Sequence, residues 1–395
     1  MPMIALAGSA SRAEGLPDKR RSLIAACLAH ALHDGYTDGL YAFLPVWQSQ
    51  FGLSYAGLAM TRALYYGVMG GLQMPANRLL RGLSPRAALV LSTVVAAAGF
   101  LIMAAPLGFA GLCLGLVVAG VGSSIQHPRA SLLVTETYAA EARRPLGIYN
   151  FSGDLGKATV PAAVALLLPI LAWRPVVGLL ALLGLGVSLA LLRLAPRRAP
   201  AHAEPAPAVA RGSDRSGFAW LMTIGAFDTA TRMGYLLFLP FLIHARGGTS
   251  ATVGLGLALL FIGGAFGKAT CGWLAERLGV IGAVIATETA TALLVVATLF
   301  TPLAPTLVLL PLLGVFLNGT SSVLYGTVPE LAPAGDRGRA FALFYTGVIG
   351  SGGLAPIAYG AIADHSGQTV GVLAAAATAA LIVPMALRLG PSLRR

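Results

Sequence analysis

The chain has 395 residues, 56% hydrophobic and only 11% charged, with a mean hydropathy of +0.78. Soluble domains carry about 25% charged residues, so the composition excludes a water-driven globular core and predicts an integral membrane protein. The net charge of +12 does not signal nucleic acid, because the basic residues stand singly at the ends of apolar runs.

Residues 1–21 hold Arg12, Lys19, Arg20 and Arg21 and no cleavage-site pattern, so the first apolar run is expected to remain as a span and not to leave as a signal peptide. A bilayer core needs about 20 apolar residues per helix. Runs of that kind fall at 22–47, 54–75, 86–105, 108–135, 145–169 and 174–194. A Pro-, Ala- and Arg-rich stretch without periodicity follows at 195–216, then a second set at 217–243, 251–273, 280–301, 305–329, 339–363 and 368–388. The expected architecture is an all-α membrane protein of twelve transmembrane helices in two six-helix bundles, 22–194 and 217–388. Segment 1–21, linker 195–216 and tail 389–395 complete the chain. Of the 27 lysines and arginines, 20 fall before the first span, in the even-numbered connections or after the last; only Arg174 and Arg246 fall in the others. The positive-inside rule then places both termini in the cytoplasm, and the chain in a bacterial inner membrane. Cys27, Cys113 and Cys271 all sit in apolar segments without metal or disulfide spacing and read as packing residues.

The first span is unusual. Its centre, HALHDGYTDGLYAFLP from His30 to Pro45, places His30, His33, Asp34, Thr37, Asp38 and Tyr41 on one helix face. Ionisable groups at that depth cost a few kcal/mol and by default face a partner or a water-filled pathway. The halves echo one another: Asp34, Asp38 and Tyr41 in the first span answer to Asp228, Arg232 and Tyr235 in the seventh, and Gly122-Ser123-Ser124 in the fourth to Gly319-Thr320-Ser321 in the tenth. Six-helix repeats of this kind place a binding site near the bilayer midplane between the halves. Gly263, Gly264 and Gly267, and Gly350, Gly352 and Gly353, read as close helix crossings.

GWLAERLG, Gly272 to Gly279, resembles the cytoplasmic loop signature of the major facilitator superfamily, and the resemblance covers nearly the whole chain. It implies that Glu276 and Arg277 pair with neighbouring helix ends and latch the cytoplasmic side. The matching loop of the first half keeps Arg78 but has Asn77 where the acid is usual, implying a weaker latch. Within the superfamily, HDGYTDGLYAFLPVWQSQFGLS, GVGSSIQHPRAS and YNFSGDLGKATVP are most similar to the fosmidomycin-resistance efflux branch. Two positions depart from that branch. Arg129 stands where it has glutamate and Asp154 where it has asparagine, with Lys157 one turn on.

The expected function is therefore secondary transport by alternating access: proton-coupled antiport exporting a small polar or anionic organic compound, without cofactor or enzymatic step. No nucleotide-binding or nucleophile motif is present, and no soluble segment is long enough to hold a nucleotide domain. Protons, a small-molecule solute and membrane lipids are the partners, and the fold works as a monomer. Asp34 and Asp38 are the protonation candidates, because a carboxylate in a poorly solvated cavity holds a proton more tightly; His33 and His127 are candidate relays. Substrate contacts or exchangeable salt bridges are assigned to Arg62, Tyr66, Arg129, Tyr149, Asn150, Asp154, Lys157, Asp228, Arg232, Tyr235, Asn318 and Tyr325. Lys268 is expected to snorkel toward the headgroups, and Glu288 to pair with a basic residue. The alternatives are import of an organic anion, transport of a divalent metal by His30, His33, Asp34 and Asp38, or a non-transporting sensor, against which the charges in both halves argue.

Overall fold

The computed structural model describes residues 15–197, 215–331 and 337–393. Most of the expected linker and parts of both terminal segments lie outside the described residues. Eleven α-helices are present among those described: α1 (Gly15–Phe51), α2 (Tyr55–Leu79), α3 (Pro85–Ala104), α4 (Gly108–Tyr138), α5 (Arg143–Leu167), α6 (Trp173–Leu194), α7 (Arg215–Ala245), α8 (Ser250–Phe300), α9 (Leu303–Leu331), α10 (Arg337–Ser366) and α11 (Gln368–Leu393). Twelve spans result, because α8 is broken at Gly279, whose φ of 71° turns the chain between arms 250–278 and 280–300. Only glycine adopts that conformation without strain, so the last residue of the GWLAERLG signature makes the connection. Helix starts follow local chemistry. Ser54 and Ser84 accept from Gly57 and Ala87 backbone N–H groups, and Thr249 forms a capping box with Thr252. Helix α1 begins earlier than the apolar run; its polar first turns are anchored by Arg21 Nη2 donating to the Arg193 carbonyl at 2.6 Å.

Among the described residues, seven helical stretches are long and apolar enough to cross a membrane by composition. The other four helices, α1, α2, α5 and α7, carry His30, Asp34 and Asp38; Arg62; Asp154 and Lys157; and Asp228 and Arg232 in their middles. Their polar content is the mark of helices that look inward.

In the first half α3 packs on α4 and α6, α1 on α5, and α2 on α4; in the second, α9 lies on α8, and α7 on α10 and α11. Apolar packing holds each half: Tyr36 stacks on Phe100 at 4.0 Å and donates to the Leu180 carbonyl at 2.6 Å. Helix α8 meets α9 through glycines, where a methyl on Gly263 or Gly267 would collide with the Pro311 or Val315 carbonyl. Of the other glycine group, Gly352 abuts Thr229 and Tyr66, whereas Gly350 faces open space.

The halves meet along α2 with α10 and α5 with α8, while α1 and α7 face each other at the centre, where Tyr41 donates to Met233 Sδ at 3.3 Å. At the end away from the start of α1, Asp364 near the close of α10 caps a helix of the other half. Its Oδ1 and Oδ2 accept from the Tyr55 and Ala56 N–H groups at 2.7 and 3.0 Å, and Gly360 lets the backbones approach. A carboxylate at a helix N-terminus is favourable on both hydrogen-bond and dipole grounds. Asp364→Ala is expected to cost about 1 kcal/mol of this closed arrangement, shifting the population of the opened state roughly five-fold. Spin-label distances between the loops of the two halves at this end measure it.

Candidate functional site

Asp34 on α1 lies at the junction of three side chains. His30 Nε2 is 3.6 Å away, one turn back on the same helix. His127 Nε2 on α4 is at 3.7 Å, and Lys157 Nζ on α5 at 3.1 Å. Tyr149 stacks on the His30 ring at 4.0 Å. This approach of α5 to α1 depends on glycine: a methyl on Gly156 would strike the Ala31 carbonyl, and one on Gly153 would lie 2.5 Å from both His30 Nε2 and Asp34 Oδ2.

Lys157 is shared. Asp154 Oδ1, three residues back, is 3.9 Å from its ammonium, and Asp154 also takes Lys268 of α8 at 2.6 and 2.8 Å. Lys268, expected to snorkel, instead turns inward, because Asp154 across the α5–α8 seam offers two oxygens that headgroups would have to match. The chain Asp34–Lys157–Asp154–Lys268 thus runs from the first half into the second. Asp38 has the Arg62 guanidinium at 3.8 Å, and Arg62 lies over the Tyr41 ring at 4.0 Å and near Tyr66 at 5.2 Å.

These groups surround a cavity of about 130 Å³ lined by Asp34, Asp38, Tyr66, His127, Lys157, Arg232, Asn318 and Tyr345, with Met233 and Phe261 as apolar walls. Arg232 differs from the other cations. Among the described residues no carboxylate lies within 4.0 Å of it, and its Nε is buried without a hydrogen-bond partner. A cation in that position is available to a ligand.

Other candidates lie elsewhere. His33 points away from the cavity, between Ser123 Oγ at 2.8 Å and Thr93 Oγ1 at 3.4 Å. Arg129 does not reach Asp154; it donates to the Leu83 carbonyl at 2.5 Å, in a separate depression with Arg81 and Glu136. Asn150 is exposed. Tyr235 is fully buried, and Tyr325 packs edge-on against Phe344. Asp228 is buried and is not among the residues lining the cavity. Arg78, Glu276 and Arg277 are exposed, and no ion pair engages them among the described residues; Arg277 lies 4.6 Å from the Trp273 ring.

Sequence reasoning missed four contributors. Lys268 was legible as a basic residue inside a span with an acid available in another. Gly153 and Gly156 were legible as small residues three apart. Asp364, a lone acid near a helix end, gave no signal until α2 lay beside it.

Twelve spans in two halves around a charged central cavity define a multi-pass membrane transporter. The sequence model of the Major Facilitator Superfamily matches residues 26–224 and 221–394. The chain belongs to this superfamily, whose members are secondary transporters and not enzymes. No curated protein matches it in sequence. Among solved structures it is similar to a bacterial homologue of the human lysosomal transporter Spinster in an inward-facing, unoccupied conformation, at 15% identity over 96% of this chain and 98% of that one, TM-score 0.77. It is also similar to a POT family transporter in complex with a thioalcohol-conjugated peptide, at 13% identity over 95% and 97%, TM-score 0.77. The nucleoside transporter NupG is similar at 13% identity over 94% and 99%, TM-score 0.75.

Proposed function

We propose that this transporter is a proton-coupled antiporter that exports a small organic anion across a bacterial inner membrane, with both termini cytoplasmic. The observation that carries the reading is the Arg232 guanidinium, which has no carboxylate within 4.0 Å among the described residues and lines one small cavity with Lys157 and Asp34. A forked guanidinium suits a carboxylate or phosphate, and 130 Å³ lies below the range of about 300–1,000 Å³ typical of drug-sized pockets, which favours a compact solute. The resemblance of α1, α4 and α5 to the fosmidomycin-resistance branch supports export.

Asp34 is the coupling group in this reading. As a carboxylate it holds Lys157. Once protonated it releases Lys157, which turns to Asp154 and away from the cavity, so that an anion beside Arg232 loses one of its two cations and leaves. Lys268 then competes for Asp154, and the link between the halves loosens. Proton loading on one side and anion loading on the other thereby act on one ion-pair chain. Asp38 with Arg62, and His127, bound the same cavity and tune its charge.

A second reading has one specific observation in its favour: ligand atoms of His30, Asp34 and His127 lie within 4.8 Å of one another, a grouping that suits a divalent metal as cargo. Lys157 at 3.1 Å from the same carboxylate opposes it by like charge. Proteoliposomes loaded with a pH-sensitive dye separate the two. Organic anions are expected to drive proton flux that survives a chelator, and flux seen only with a divalent metal and lost on chelation would replace the first reading with the second.

A further inference from the structure

Two carboxylates of α1 line the cavity, and their surroundings differ. Asp34 has Lys157 at 3.1 Å and the His30 and His127 rings at 3.6 and 3.7 Å. Asp38 is 5% exposed and has one charged neighbour, Arg62 Nη2 at 3.8 Å, too long for a hydrogen bond. Other contacts occupy Arg62: its guanidinium lies over the Tyr41 ring at 4.0 Å, and its Nη2 is 3.9 Å from Met233 Sδ. Among the described residues no donor hydrogen-bonds the Asp38 carboxylate. An ionised carboxylate only accepts, with room for about four hydrogens, and buried polar groups as a rule have their partners. The open side of Asp38 is the cavity.

Its neighbour Thr37 also lines the cavity and has no hydrogen to give to it. Thr93 Oγ1 donates to the Leu89 carbonyl at 2.8 Å, so it accepts from His33 Nε2. His33 Nδ1 is then the acceptor for Ser123 Oγ at 2.8 Å. Ser123 in turn accepts from the Tyr65 hydroxyl at 2.7 Å. The single hydroxyl hydrogen of Thr37 goes to the His33 carbonyl at 2.9 Å or to Tyr65 at 3.1 Å. Both are inside the protein, so toward the cavity Thr37 is an acceptor.

The remaining walls present donors. Arg232 of α7 and Lys157 of α5 line the same space, as does Tyr345 of α10, whose oxygen accepts from Gln73 Nε2 at 3.4 Å and whose hydrogen is left for the cavity. A compact molecule in this space meets donors from α5, α7 and α10 and acceptors from α1. An acid group answers the donors; the α1 face calls for a donor on the same molecule. Arg62 already offsets the charge of Asp38, so what Asp38 lacks is a hydrogen and not a positive charge. A neutral hydroxyl supplies that.

We propose that the solute is a small hydroxy acid whose acid group is held by Arg232 and whose hydroxyl donates to Asp38, with Thr37 as a second acceptor. The proposal rests on the anion-binding role given to Arg232, and it makes Asp38 and Thr37 the residues that select among anions of similar size.

Calorimetric titration of the purified full-length protein with acids that differ by one hydroxyl tests it: acetate against glycolate, propionate against lactate, succinate against malate. Within a pair the hydroxy acid is expected to bind about ten- to a hundred-fold tighter, the range for a hydrogen bond to a charged group. Asp38→Asn, whose amide oxygen is a neutral acceptor, should reduce that ratio several-fold, and Asp38→Ala should remove it. Equal affinities within every pair that binds overturn the proposal and leave the anion reading standing. A ratio unchanged from wild type in both variants also overturns it; if Asp38→Ala does not fold, the Asp38→Asn ratio decides. The amino acid alanine binding more tightly than lactate would put an ammonium group at Asp38 and overturn the hydroxy-acid assignment. Binding of none of these acids would remove the anion reading itself, and the proposal with it.

Discussion

Asp34→Asn is expected to reduce substrate-driven proton flux in proteoliposomes to background while leaving substrate-for-substrate exchange measurable. The asparagine fills the same space beside His30, His127 and Lys157, but it neither binds nor releases a proton. Lys157 is left with Asp154 alone, which it already shares with Lys268. Removing one partner of a buried pair costs about 3–5 kcal/mol when nothing replaces it; here Asp154 stands 3.9 Å away, so the structural loss falls at the lower end. Retained exchange shows that the variant folds and binds. Proton flux equal to wild type would remove Asp34 from the coupling role and return the cluster to a purely structural one.

Arg232→Gln is expected to weaken binding of an anionic substrate by two to three orders of magnitude. Truncating one member of a buried, hydrogen-bonded charge pair costs about 2–5 kcal/mol, and Arg232 is the cavity cation without a carboxylate within 4.0 Å. Arg232→Lys should recover part of the loss, since it restores the charge but not the two-pronged geometry. Calorimetric titration of the purified protein gives both numbers. Equal affinities in all three proteins would rule out an anion held at this position. Lys157 is a poorer choice for the same test, because its ammonium lies within 4.0 Å of two carboxylates and its loss would disturb the ion-pair chain as well as the substrate.

Asp34 and Arg232 were both marked in the sequence for a simple reason. An ionisable residue in an apolar run is conspicuous in one dimension, and the bilayer penalises it enough that it must have a use. The partners of each were not legible. Asp154 and Lys157 stand three apart in the sequence, yet Lys157 sits closer to Asp34, and the shortest contact of Asp154 is Lys268, 114 residues away. His33 and His127 were the candidate relays; the rotation of α1 against α3 and α4 sends His33 to Ser123, whereas His127 of α4 comes within 3.7 Å of Asp34. Glu288 was expected to pair with a base, and none lies within 4.0 Å of it among the described residues.

The sequence by itself determined that the chain spans a membrane twelve times in two related halves, which residues were too polar for lipid, and which superfamily signature turns the chain at Gly279. These follow from hydropathy, periodicity and backbone freedom, which act locally along the chain. Only the tertiary structure decided which charges meet, that the Asp154–Lys268 bridge and the Asp364 cap tie the halves together, and that Arg232 has no carboxylate within 4.0 Å among the described residues. Such pairings depend on how helices distant in sequence are rotated and how closely their glycines let them approach, and that information belongs to packing.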